Sequence, residues 1–263
     1  MILWQQAGII LQYELYLLFA GMLVISALYA SVGHGGASGY LALLSLTSYG
    51  TMSHIWLKQH VWVMNMVVAS IAFYHYHKAG YHKIGLTAPF IITSIPMAFI
   101  GGILEIKPDI YDILLSITLI WAAYKILNHS DSNAMTLNTP SKFEAYIWGG
   151  GIGFFSGIIG VGGGIFLSPI LLLKRWADVK TAAATAAVFI FFNSLSGLIG
   201  MGISDQLGFD QSILILMVSA ILIGGFVGAL FGAKYAKKTV VRKILAVVLI
   251  IAVMKRVVQF LLF

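Results

Sequence analysis

The sequence predicts an all-α polytopic membrane protein made of two inverted repeats of five hydrophobic segments. Each repeat carries a short helix behind a glycine break. Three observations lead there. Hydrophobic residues make up 60% of the 263-residue chain and charged residues only 10%, far below the roughly 25% that coats a soluble domain. Ten apolar stretches follow one another with no long polar segment between them. Two glycine-rich runs, Ser31-Val-Gly33-His34-Gly35-Gly36 and Gly160-Val-Gly162-Gly163-Gly164, interrupt the two halves at matching places.

The apolar stretches cover 15–32, 37–49, 54–76, 86–105, 110–127, 143–159, 165–173, 181–201, 213–233 and 242–262. A spanning helix needs about 20 residues. Most stretches reach that length; the second and seventh, the two that follow a glycine break, fall short. The N-terminal stretch through Leu11 has no Lys or Arg and no small-residue cleavage site, so it is not read as a cleavable signal. The absence of cysteine removes disulfides, thiolate metal sites and cysteine nucleophiles together.

Internal similarity divides the chain into repeat one (15–127), an inside connector (128–142) and repeat two (143–258), all within one transporter domain spanning 1–263. Val32-Gly33-x-Gly35 matches Val161-Gly162-x-Gly164, Asn65 falls on Asn193, and Lys125 falls near Lys255. Lys78-Ala-Gly80-Tyr81 likewise matches Gln206-Leu-Gly208-Phe209. Five crossings, an odd number, invert the second repeat. The net charge of +7 then reads as the excess of Lys and Arg that membrane proteins keep in cytoplasmic loops, not as a nucleic-acid surface. With both termini outside a cell inner (plasma) membrane, Lys78, Lys83, Lys125, Lys142, Lys174, Arg175, Lys180, Lys234, Lys237, Lys238, Arg242 and Lys243 fall inside. Only Lys58, Lys107, Lys255 and Arg256 fall outside.

Paired, glycine-interrupted short segments in corresponding positions point to a substrate site near the midplane. Glycine costs ~1 kcal/mol relative to alanine in a helix, and open backbone at membrane depth is tolerated only where protein buries it or a watery cavity receives it. A short helix starting at such a break aims uncapped N–H groups at the break, which favours an anion. Gly33, His34, Gly35 and Gly36 in one copy, and Gly162, Gly163 and Gly164 in the other, are therefore candidate anion-binding positions. The bland alternative is close helix packing through small residues.

Asn65 and Asn193 are the candidates to orient the anion by hydrogen bonding, with interhelical bonding as their alternative role. Lys58, His60 and His34 are candidates for positive charge or a coupled proton; Lys58 lies level with the interior of the partner helix, with snorkelling to the outer interface as its alternative, and a satisfied buried histidine is the alternative for His34. Thr185 lies on the same helix as Asn193; for it, as for Ser194 and Ser196, interhelical hydrogen bonding is the simpler reading. No Asp or Glu sits mid-span, where a cation carrier would want one, while Glu105, Asp109 and Asp112 gather at one helix junction. Tyr74-His75-Tyr76-His77 with His82 reads as an interfacial belt rather than a metal site. No zinc-helix pair, nucleophile elbow or phosphate loop is present, so the chain carries no enzyme signature and calls for no cofactor.

The run Gly157-Ile-Ile-Gly160-Val-Gly-Gly-Gly164, with Ser168-Pro169-Ile-Leu-Leu, Lys180-Thr-Ala-Ala-Ala-Thr185 and Asn193-Ser-Leu-Ser-Gly197, resembles the TauE/SafE family of sulfite exporters. The resemblance implies an inner-membrane carrier of sulfite, an organosulfonate or a related organic anion, working by alternating access. An anion channel, or a membrane scaffold or enzyme without transport, are the alternatives. The first half departs from the second: His34 stands where Gly163 would, Tyr40 where Pro169 would, and no Thr matches Thr185.

Overall fold

The computed structural model describes residues 2–44, 47–104, 107, 110, 113, 117, 137–237, 239–240, 243–244, 247 and 254. The stretches expected at 110–127 and 242–262, the Glu105–Asp109–Asp112 junction and the Lys125–Lys255 match lie wholly or mostly outside the described residues.

Within them the chain forms eight α-helices and no strand. They are α1 (Ile2–Ala30), α2 (Ala37–Leu44), α3 (His54–Lys78), α4 (Ile84–Ile103), α5 (Lys142–Ile159), α6 (Gly164–Leu173), α7 (Val179–Ile203) and α8 (Gln211–Leu230). The same order repeats in the two halves. A helix ends at a glycine break, a helix of 8 or 10 residues follows, then one of 25 and one of 20. Among the described residues, four helical stretches are long and apolar enough to cross a membrane: Gln12–Ala30, Ile84–Ile103, Val179–Ile203 and Gln211–Tyr235. Although α3 is as long as α7, it falls outside this group because Lys58, Gln59, His60, Asn65, His75, His77 and Lys78 break its apolar character. It survives by sitting inside the bundle, with the first four of these and His75 buried.

Small residues set how the helices pair. On α5, a Cβ at Gly149, Gly153 or Gly157 would collide with the backbone of Phe90, Ser94 or Ala98 on α4. On α8 and just beyond it, Gly224, Gly228 and Gly232 meet Leu23, Ala27 and Ser31 at the α1 end in the same way. Spacing of four residues keeps each glycine row on one helix face, and small residues allow backbones to approach closely inside a membrane. Both rows climb with their partners, so α5 runs the same way as α4, and α8 the same way as α1. Ser196 donates to the Ile95 carbonyl at 2.6 Å, and Gly200 lies against Phe99, so α7 also follows α4. Gln59 meets Gly208 and His75 meets Phe226, so α3 follows α8. Trp62 lies on Gly197, while Tyr76, farther along α3, packs with Ala183 and Ala184, nearer the start of α7, so α3 and α7 run in opposite directions. Most of the packing thus joins the first half to the second.

Basic residues collect at one end. Lys180 donates to Ala233 at 3.1 Å and stands over Tyr81, between Lys78 and Lys83 in sequence. Lys174 pairs with Glu144, 3.6 Å away, two residues from Lys142. Every described carboxylate lies at a helix terminus or in an α1–loop contact. Asp178 caps α7, Asp210 caps α8, Glu144 completes a capping box with Ser141, Asp205 follows α7, and Glu14 accepts from the Ser48 amide.

One sequence match does not hold as a backbone equivalence. The left-handed residue that ends α3 is Gly80 (φ 81°), but its counterpart after α7 is Asp205 (φ 57°), not Gly208. The α7–α8 loop is longer, and Gly208 serves instead to tie it to α3. Its N–H donates to Gln59 at 2.8 Å, and its carbonyl accepts from Gln59 at 2.6 Å.

Candidate functional site

The two breaks enter the bundle from opposite ends and meet on α3. Helix α1 terminates with Gly33 and His34 donating back to Ala30 and Tyr29 at 3.1 and 2.9 Å. From there Gly33 passes Ala183 of α7, and Gly35 reaches Asn65 and Ile190. Helix α2 then starts at Ala37 and runs on toward the loop that touches Glu14, more than four turns before the end of α1. In the other half, α5 ends at Gly160, a left-handed cap lying on the Lys58 side chain. Gly162 then reaches Asn65, Ser194 and Ile190, and α6 begins. Each break is a turn built on left-handed glycines, and the first residues of both short helices, Ala37 and Gly164, are buried. Both short helices therefore begin in the interior. The N-cap of α6 is Gly163, in the left-handed region at φ 82° and with no side chain to cap the first-turn N–H groups.

Asn65 is the meeting point. A Cβ at Gly35 would lie 2.5 Å from its Oδ1, and one at Gly162 would lie 3.1 Å from its Nδ2. The amide spans the gap between the breaks. It is fully buried, and neither amide atom has a hydrogen-bond partner. The same is true of Asn193 (1% exposed) and of the Ser194 hydroxyl (0%). Trp62 Nε1, His34 Nε2, the Tyr40 hydroxyl and the Ser156 and Ser168 hydroxyls are also buried without a partner. An unsatisfied buried polar group costs about 1–3 kcal/mol, and native structures contain few of them. Of the residues named, Asn65 and Ser194 lie against glycines of the breaks, and His34 lies within the first break.

The other expected residues divide. Lys58 is buried rather than snorkelling: its stem lies against Gly160, and its amine is 5.1 Å from the Trp62 ring centre. His60 is fully buried and holds structure at both nitrogens. Nδ1 meets the Trp56 carbonyl at 2.7 Å, and Nε2 accepts from the Asp210 amide at 3.1 Å, while Trp56 and Phe209 pack on the ring. Thr185 is paired with Thr87 at 3.2 Å, tying α7 to α4. His34 contacts the Val32 carbonyl through Nδ1 at 2.9 Å. Gly36 lies under the Tyr40 ring, and Gly164 lies on Ile190. Among the described residues no cluster of His, Asp and Glu is placed to hold a metal ion.

Sequence reasoning did not single out Trp62, whose buried indole N–H has no partner, and read Ser194 as an interhelical hydrogen bonder. A signal for Trp62 existed: Lys58, Trp62 and Asn65 recur at helical spacing on one face of α3.

Comparison with known proteins supplies the context. The sulfite exporter TauE/SafE family model matches residues 17–256. The chain belongs to this family. Its relatives include the probable membrane transporter protein y4hK of Sinorhizobium fredii, 32% identical over 236 residues, covering 88% of this chain and 94% of that protein. The probable membrane transporter protein YunE of Bacillus subtilis is 32% identical over 100 residues, covering 38% of this chain and 36% of that protein. No solved structure matches the chain. The protein is thus a multi-pass, all-helical member of a membrane transporter family.

Proposed function

We propose that this protein carries a small anion, sulfite or an organosulfonate, out of the cell across the inner membrane by alternating access. One observation carries the reading: the N-termini of two short helices begin in the interior beside Asn65, ringed by unpartnered polar groups and with no described carboxylate among them. Helix N-termini favour negative charge, and the broken helices of transporters bind anionic groups at this kind of junction. Asn65 and Asn193 orient the anion, and the glycines of both breaks (Gly33, Gly35, Gly36, Gly162, Gly163, Gly164) let backbone approach it. Lys58 supplies positive charge at depth. His34, with Nε2 unpartnered, is better placed to exchange a coupled proton than His60, whose two nitrogens are both engaged.

The architecture we propose is two inverted repeats of five segments each, in a single domain with both termini outside. The opposite directions of α3 and α7, together with the pairing of α1 with α8 and α5 with α4, support the inversion. The collection of basic residues at one end supports placing that end in the cytoplasm. Alternating access then moves two mixed units, one built on α1, α3 and α8 and the other on α4, α5 and α7, about the α3–α7 crossing.

The test is flux in proteoliposomes containing the purified protein, with radiolabelled sulfite and sulfonates. Saturable flux with counterflow is expected. Absence of flux under every gradient refutes carriage, and unitary currents reassign the protein as an anion channel.

A further inference from the structure

Two buried donors beside the breaks are left without a function by the family resemblance: the Trp62 indole N–H and the Ser194 hydroxyl. Both belong to fully buried residues, and neither group has a hydrogen-bond partner. Ser194 adjoins Asn193 and faces Gly162, where a Cβ would lie 3.1 Å from its Oγ and equally 3.1 Å from Asn65 Nδ2. The Trp62 ring lies on Gly197 of α7, 2.6 Å from where a Cβ would stand. That glycine is one turn beyond Asn193, and Trp62 is one turn before Asn65 on α3. The indole has a single polar atom, which can only donate. Gly197 is what lets so large a ring lie at the crossing, and the Lys58 amine over its face helps fix its orientation.

We infer that Trp62 and Ser194 bind the transported anion directly, completing with Asn65 and Asn193 a girdle of uncharged donors on the α3–α7 crossing. This rests on the anion-carrier reading and sharpens it. An indole, a hydroxyl and two amides are several separate donors, and a group with several acceptor oxygens on one atom offers each of them a lone pair of its own. The ligand class is therefore a compact oxyanion, recognised by neutral donors rather than by a cluster of cations. Neutral donors hold an anion strongly enough for capture, because a bond to a charged partner is worth more than one between neutral groups, and weakly enough for release.

The experiment is sulfite binding to the purified full-length protein in detergent, followed by calorimetry and by tryptophan fluorescence, with chloride as competitor. Trp62→Phe keeps an aromatic ring and deletes the donor, and Ser194→Ala deletes the hydroxyl. Each is expected to weaken sulfite binding about tenfold, the loss of one hydrogen bond to a charged group. The thermal midpoint is expected to stay level or rise, because an unsatisfied buried group has gone, and chloride is expected to compete poorly. A merely structural role would instead lower the midpoint and leave binding intact. If the wild type binds sulfite and both variants bind within twofold of it, the inference is overturned while the anion reading stands. Should Ser194→Ala fail to fold, Trp62→Phe decides alone. Equal competition by chloride overturns the oxyanion assignment. If neither sulfite nor any sulfonate binds the wild type, the carrier reading itself falls and takes the inference with it.

Discussion

Gly162→Ala tests the break most sharply, because the same chemical change is benign elsewhere in the chain. Gly162 has φ 72°, and an L-residue held in the left-handed region costs roughly 1–2 kcal/mol. The added methyl would lie 2.9 Å from Ile190 Cγ2 and 3.1 Å from both Asn65 Nδ2 and Ser194 Oγ. Forcing extra volume into a filled interior costs about 1–3 kcal/mol more. Together about 2–5 kcal/mol is expected, enough to lower the thermal midpoint in detergent clearly and to push Asn65 off its position between the breaks. Gly150→Ala is the matched control. A methyl there has ordinary contacts, 3.7 Å to Met97 and Thr93, on a regular stretch of α5, and the swap favours the helix by ~1 kcal/mol. Midpoints and sulfite binding are measured side by side. Gly162→Ala is expected to lose both, and Gly150→Ala to keep both. Indistinguishable variants would refute the claim that the break is a filled, conformationally specific junction.

Asn65→Ala should weaken anion binding roughly ten- to a hundredfold, the value of hydrogen bonds to a charged ligand, without lowering the thermal midpoint; a falling midpoint with intact binding would mark Asn65 as a structural residue. Gln59→Leu removes both bonds to the exposed Gly208, so a midpoint drop corresponding to about 1–3 kcal/mol, the net worth of two hydrogen bonds, is expected, read by thermal unfolding of the purified protein. In the loop after α3, burial and the neighbouring His77 hold His82 below the ordinary histidine range. The unfolded chain then binds this proton first, so stability should fall as pH drops below about 6.5; His82→Asn should flatten that part of the midpoint-against-pH curve, and an unchanged curve would clear His82 of the effect. The absence of cysteine makes single thiols informative: Met52→Cys should label with an impermeant maleimide from outside the cell, and Lys83→Cys only after the inner face is opened. Labelling of both from one side would refute the proposed orientation.

The fold was legible wherever hydropathy or backbone chemistry wrote it. The two short helices were visible as apolar stretches too brief to span, each starting where glycine had already stopped a helix. The pairing of the helices was less visible. Glycines at 149, 153 and 157 announce a close contact, but nothing in their spacing says that the partner is α4. The site was half legible. Asn65 and Asn193 stand out as amides in apolar helices, and the structure brings the first onto both breaks. Ser194 and Thr185 looked alike in sequence; what separates them is that Thr185 finds Thr87, while the Ser194 hydroxyl finds nothing. Lys58 and His60 also looked alike, as polar residues two apart on one helix. Only contacts across the bundle reveal that one meets the break and the other holds the α8 loop.

The row of glycines joining α8 to α1 has a consequence for how the protein is made. Leu23, Ala27 and Ser31 leave the ribosome early, while Gly224, Gly228 and Gly232 follow some two hundred residues later. Until then the matching face of α1 has only lipid or a temporary neighbour against it, and α3, with its buried lysine, histidine and amides, lacks α7 and α8 to shelter it. The first half is therefore inserted before it is assembled. A chain released between the halves would leave its most polar helix in the bilayer without its partners, which makes the nascent protein, not the finished one, the form most dependent on insertion machinery and quality control.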